Sequence, residues 1–115
     1  MKSSFLLTTL GAVTLALSYA GSTAFAQQAD AKAGQAAYTK SCASCHAPDG
    51  APKEAIAKMM KVEMKNLGAK EAQAKGDADL KKVMTEGTGK MKGVKGLSEK
   101  QTGDLVAYLR TLAKK

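Results

Sequence analysis

Apolar residues in this chain recur mostly at helical spacing. In Asp30–Cys45 (DAKAGQAAYTKSCASC), Gly34, Ala37, Tyr38 and Ser41 fall at i, i+3, i+4 and i+7. That spacing predicts one helix face on which a small residue sits beside a large aromatic one, with Asp30 as N-cap. Leu105, Tyr108, Leu109 and Leu112 repeat the spacing in Ser98–Leu112. There Ser98 and Gln101 form a capping box, and Arg110, Lys114 and Lys115 suit the negative end of the helix dipole. Two weaker helices are predicted between these. One runs from about Lys53 to Met60, and the other starts at an Asp77 cap, groups Leu80, Val83 and Met84 on one face and stops at Gly87. Gly87–Gly96 (GTGKMKGVKG) has four glycines in ten residues, which suits neither helix nor strand. No period-two alternation is found, so no sheet is predicted, and the chain is expected to be all-α.

The N-terminus follows a different pattern. Lys2 precedes the apolar run Phe5–Leu17, and Ala24-Phe25-Ala26 offers a small-x-small cleavage signal. A helix of that apolar length rises only about 20 Å, short of a hydrocarbon core of roughly 30 Å. Residues 1–26 are therefore expected to be a cleaved secretory leader, with 27–115 forming one soluble, exported domain. The leader removes both phenylalanines and Tyr19, so the mature part keeps only Tyr38 and Tyr108 as aromatic residues and has no Trp. A small domain without large aromatic side chains is short of core material. Another apolar body would remedy that shortage. The formal charge of +8 loses only Lys2 with the leader. A basic surface of this kind suits an acidic partner or an anionic membrane surface, and export argues against nucleic acid.

Both cysteines and the sole histidine lie in one stretch, SCASCHAPDG from Ser41 to Gly50. Disulfide exchange would need a strand–helix surround that the pattern lacks. A structural zinc site needs four N or S ligands and the chain offers three. A disulfide across a two-residue spacer closes almost no chain and stabilises little. Haem attachment uses all three residues: Cys42 and Cys45 each form a thioether with one porphyrin, and His46 ligates its iron. The haem would also be the missing apolar body.

With these motifs assembled, the chain resembles a small class I (mono-haem) bacterial cytochrome c. The likeness rests on Gly34-x-x-x-Tyr38, on Cys42-Ala-Ser-Cys45-His46 with the following A-P-D-G-A-P, on a glycine-flanked Met91, and on A-Y-L-R-T-L at Ala107–Leu112. The resemblance implies a cytochrome c fold of roughly three to five short helices around one covalent haem c. It implies that the first and last helices cross beside the haem, Gly34 and Tyr38 lying against Leu105 and Tyr108.

The sixth iron ligand cannot be a second histidine, because there is none. A neutral thioether suits a high reduction potential. Met84 shares a face with core residues, and Met59, Met60 and Met64 read as flexible filler along the haem crevice. Met91, in the glycine-rich loop, is the expected ligand, in the segment where the family carries its own. Met64 is second to it. Lys92 follows Met91 where the family very often has proline. The resemblance also places Pro52, ahead of Pro48, near the histidine, and Asn66 and Leu67 along the haem edge.

The function expected is periplasmic transfer of one electron between a membrane-bound donor and an oxidase or reductase. Docking would be transient, on acidic redox proteins, with transient association at a membrane surface, and the carrier would be a monomer. With His46 on the iron no general base remains, so the chain is not expected to be an enzyme. Two other classes stay open: a haem subunit held permanently in a dehydrogenase or oxidase, and a five-coordinate haem enzyme or gas sensor if Met91 is not a ligand.

Overall fold

Asp30 opens the first helix as expected. Its carboxylate accepts from the backbone N–H groups of Lys32 and Ala33 at 2.9 and 3.2 Å, satisfying donors that a helix start leaves free. The computed structural model describes residues 28–114, so the leader assigned to 1–26 lies outside the described residues. Five helices follow in order: α1 (Ala31–Ser41), α2 (Glu54–Met60), α3 (Lys70–Gln73), α4 (Asp77–Glu86) and α5 (Glu99–Thr111). The mostly helical architecture agrees with the expectation of an all-α domain.

Helices α1 and α5 cross at the centre, and the crossing is built on a missing side chain. A Cβ on Gly34 would collide with the carbonyl oxygen of Asp104 and come within 2.9 Å of Tyr108 Cβ. Glycine lets the two backbones touch, as the paired small and aromatic positions implied. One turn on, the Tyr38 and Tyr108 rings meet edge to face, with centroids 5.1 Å apart and planes at 62°. Leu105, Val106 and Leu109 of α5 and Leu80 and Met84 of α4 complete the buried cluster. Met84 is thus core, as its helical face predicted.

Local chemistry moves some boundaries. Helix α1 ends at Ser41 and does not reach Cys45. Gly76, not Asp77, is the N-cap of α4. Asp77 is the first helical residue, and its carboxylate accepts from Arg110 Nη2 at 2.7 Å, so the partner on α5 takes the group that would have capped. The single turn of α3 was not anticipated from the spacing.

The expectation of no sheet is corrected on a small scale. Gly87–Thr88 (β1) and Met91–Lys92 (β2) pair antiparallel, Gly87 opposite Lys92 and Thr88 opposite Met91. Strands of two residues are too short to show a period-two pattern. What permits the hairpin is glycine: Gly87 has φ +84, and a Cβ there would strike the Met91 carbonyl.

Candidate functional site

The C-terminal end of α1 delivers the C-x-x-C-H motif. Cys42 caps the helix, its N–H bonding Tyr38 O at 2.8 Å. The N–H groups of Cys45 and His46 then both return to Cys42 O, at 3.2 and 2.9 Å. This wraps the motif into a turn, so Cys42, Cys45 and His46 are gathered at one end of the helix. Both cysteines are free thiols of intermediate exposure.

The chain after His46 doubles back on itself. Ala47 N donates to Ala51 O at 2.8 Å and Lys53 N to Cys45 O at 3.1 Å, which sets His46 directly opposite Pro52 in an antiparallel bridge. The two occupy the pair that exchanges no hydrogen bond, so the missing N–H of proline costs the ladder nothing. Their Cβ atoms share a face, about 4.5–5.5 Å apart by strand geometry. Pro52 is therefore the proline beside the histidine. Pro48 lies elsewhere: its carbonyl accepts from Tyr108 OH at 2.8 Å, while Tyr38 OH donates to Ala47 O at 2.6 Å. The two core hydroxyls thus hold the two carbonyls that directly follow His46. Burial pushes the Tyr38 phenol far above its ordinary range, so it remains a donor there.

Pro52 lines a cleft of about 440 Å³ whose walls are largely apolar, formed by Ala57, Val62 and Met64 with the stems of Lys58 and Lys61. A cleft of this size lies within the range of small-molecule and cofactor sites. Burial holds the His46 imidazole below its usual range, so it is neutral at neutral pH, the form that ligates metal. Its Nδ1 is buried without a hydrogen-bond partner, the one such side-chain atom among the described residues. The hydrogen bond that a ligating imidazole normally gives to a nearby carbonyl is therefore not made here. Burial, with Cys45 beside it, pushes the Cys42 thiol up. A protonated thiol is a poor nucleophile, which disfavours disulfide exchange. No group of three or more His, Cys, Asp or Glu side chains able to hold a metal occurs among the described residues.

Met91 comes from a separate element, β2, where it is half-buried. It does not line the Pro52 cleft, whereas Met64 does. The methionines grouped as crevice filler differ in exposure: Met60 and Met64 are half-buried and Met59 is 72% exposed. Leu67 packs on the core cluster, and its N–H donates to Gly50 O at 2.9 Å, which ties Asn66–Leu67 to the loop after His46. Asn66 Oδ1 is occupied by its own turn, accepting from Gly68 N at 2.9 Å. The tyrosine bonds to residues 47 and 48 were not anticipated, nor was Gln73, whose Nε2 donates to Leu67 O and Leu109 O at 2.8 Å each. No local spacing signals contacts between residues so far apart in sequence.

Compared with known families, residues 31–113 match the family described as Cytochrome c. The chain belongs to the cytochrome c family. No curated protein and no solved structure matches it. Cytochromes c carry covalently attached haem c, and one C-x-x-C-H gives this member a single attachment motif, in keeping with a mono-haem class I protein of small size. The residues fit that group. Two free thiols stand at i and i+3, and next to them is a neutral imidazole with no protein hydrogen bond. Its strand neighbour, Pro52, opens onto an apolar cleft.

Proposed function

We propose that this cytochrome c is an exported, periplasmic electron carrier. It would pass one electron between a membrane-bound donor and an oxidase or reductase. In this reading Cys42 and Cys45 tether the haem, His46 and Met91 are the axial ligands, and Pro52, Asn66 and Leu67 border the group. When bound, the haem supplies a one-electron couple whose potential methionine ligation raises.

The observation that carries the reading is the distribution of the titratable and soft side chains. The sole histidine is half-buried at the motif, where desolvation favours its neutral form, Met84 belongs to the core and Met59 is exposed on α2. Met91 is half-buried on a glycine-framed hairpin. A site with both axial positions filled binds no substrate, and no second histidine is present for proton transfer. Lys53, Lys58, Lys61 and Lys65 are exposed along the cleft segment, as are Lys90, Lys92 and Lys95 along the hairpin segment. These charges support transient docking on acidic redox partners, with rates that fall as salt rises. No described helix is long and apolar enough to cross a membrane. Membrane partners would therefore be met at the surface by this domain.

The test is an absorption spectrum and redox titration of the exported protein beside Met91→Ala and Met64→Ala. The oxidised wild type and Met64→Ala should show the red-region band of methionine-to-iron charge transfer. Met91→Ala should lose it and have a lower reduction potential. An unchanged spectrum and potential in Met91→Ala contradict the ligand assignment. Rapid carbon monoxide binding by the reduced wild type, with no such band, contradicts the carrier itself.

A further inference from the structure

The segment from Gly87 to Gly96 is loosely built for one that presents a ligand. Its two strands pair with each other; Gly93 lies tight against the Thr85 backbone of α4, but a Cβ on Gly89 or Gly96 would meet nothing within 4 Å. Besides the Gly87 N–H, which bonds Val83 O where the segment leaves α4, two bonds fix it from outside. Val94 N donates to Met84 O at 2.8 Å, anchoring the C-terminal side to α4. Lys90 Nζ donates to Met60 O at 2.7 Å, and among the described residues this is the one side-chain hydrogen bond that leaves the segment.

The acceptor is well placed for a cation. Met60 is the last residue of α2, which stops because Lys61 turns left-handed at φ 52. Lys61 N bonds Ala57 O and Lys58 O, leaving the Met60 carbonyl free at the negative end of the helix. An ammonium is favoured at that end. Directly beyond it, Lys61, Val62 and Met64 form the cleft wall that includes Pro52, the strand partner of His46. The residue before Met91 is thus fastened to the end of α2, next in sequence to residues that line the cleft with Pro52.

We propose that Lys90 is a positioning residue for Met91: its bond to the Met60 carbonyl is a latch that holds the methionine hairpin to the end of α2 and sets how often the hairpin opens. The inference rests on Met91 being the sixth ligand. The bond is exposed at the surface, so it governs a local opening rather than the stability of the α1–α5 core. Its loss raises the open population on the order of fivefold, the worth of one exposed charge-assisted bond. Lys90→Arg, which keeps a cationic donor, restores most of the effect.

The experiment uses the holoprotein as wild type, Lys90→Ala, Lys90→Arg, Lys82→Ala and Met91→Ala. Lys82, exposed on α4, controls for the loss of one positive charge. Amide hydrogen exchange over residues 87–96 and the rate of carbon monoxide binding to the reduced protein are measured together. Lys90→Ala should speed both on the order of fivefold, with exchange in α1 and α5 unchanged. Lys90→Arg and Lys82→Ala should stay near wild type. Wild-type exchange and binding rates in Lys90→Ala overturn the latch, as does an equal increase in Lys82→Ala. Failure of the ligand reading is separately visible. If Met91→Ala keeps the wild-type band, faster hairpin exchange in Lys90→Ala no longer bears on the iron and the positioning role falls. If Met91→Ala loses the band while Lys90→Ala does nothing, the ligand stands and only the latch falls.

Discussion

Gly34 and Asp104 meet through main-chain atoms, so position 34 cannot accept even a methyl group without separating the helices. A Cβ there would overlap the Asp104 carbonyl, and neither a helical backbone nor a carbonyl can turn aside as a side-chain tip could. Gly34→Ala should destabilise the holoprotein by about 3 kcal/mol or more, read as a lower denaturant midpoint with an unchanged slope. A loss below about 0.5 kcal/mol would mean that the crossing is looser than this geometry. Residues differ in how far the sequence announces such roles. The pairing of Gly34 with Tyr38 on one helical face was legible, because spacing alone puts a small residue beside a large one. The difference in exposure between Met59 and Met60 was not legible, since it depends on which way a seven-residue helix turns its sides. The surroundings of His46 were not legible, because Pro52, Tyr38 and Tyr108 approach its loop from elsewhere in the chain.

Elements were legible where their ends carry their own caps. Asp30 at α1 and the Ser98–Gln101 box at α5 are bonds between residues three or fewer apart, and both are visible as local sequence. The joints between elements were not. Arg110 of α5 donates to Gln73 O, Lys75 O and Asp77 Oδ1, each at 2.7 Å, fastening the chain from α3 to the start of α4. Asp104 is a second joint. On sequence it is one more acidic residue of an amphipathic helix, yet it is 4% exposed. Its carboxylate accepts from Lys100 Nζ at 2.8 Å and from Asp30 N at 2.8 Å. The Lys100 ammonium first, then the Asp30 N–H, hold its carboxyl below the usual range and outweigh the opposing effect of burial. A carboxylate with a folded pKa below its unfolded value, about 3.9, stabilises the fold above that value. The contribution is lost as pH falls through the folded pKa. Thermal midpoints of wild type and Asp104→Asn should therefore differ by a constant amount from pH 7 to about 5 and converge below about 4. Curves that stay parallel to the lowest pH would remove Asp104 from the acid sensitivity of the α1–α5 joint.

For the molecule as a whole, the cluster that the helices bury is small for the chain. It consists of Tyr38, Leu80, Met84, Leu105, Val106, Tyr108 and Leu109, and it lies almost wholly at the meeting of α1, α4 and α5. Helices α2 and α3 bury no residue fully, and the stretch from Val62 to Leu67 has no regular structure. The segment that carries the histidine loop and the cleft thus has no buried cluster of its own. The aromatic deficit noted in the sequence is located by this arrangement: it falls on the side of the molecule where His46, Pro52 and Met64 lie. A flat apolar group tethered at Cys42 and Cys45 would give Pro52, Ala57, Val62 and Met64 a surface to pack on, and its binding would stabilise only the folded state. Haem-free Cys42→Ala/Cys45→Ala protein should consequently be largely unfolded, with weak helical circular dichroism and no cooperative thermal transition. Residual helix, if present, belongs to α1 and α5, whose caps and tyrosine contact need no haem. Cooperative melting with a native-like slope in that haem-free protein would show that the described helices close a sufficient core by themselves. The cleft would then be a binding surface on a finished domain rather than the gap in an unfinished one.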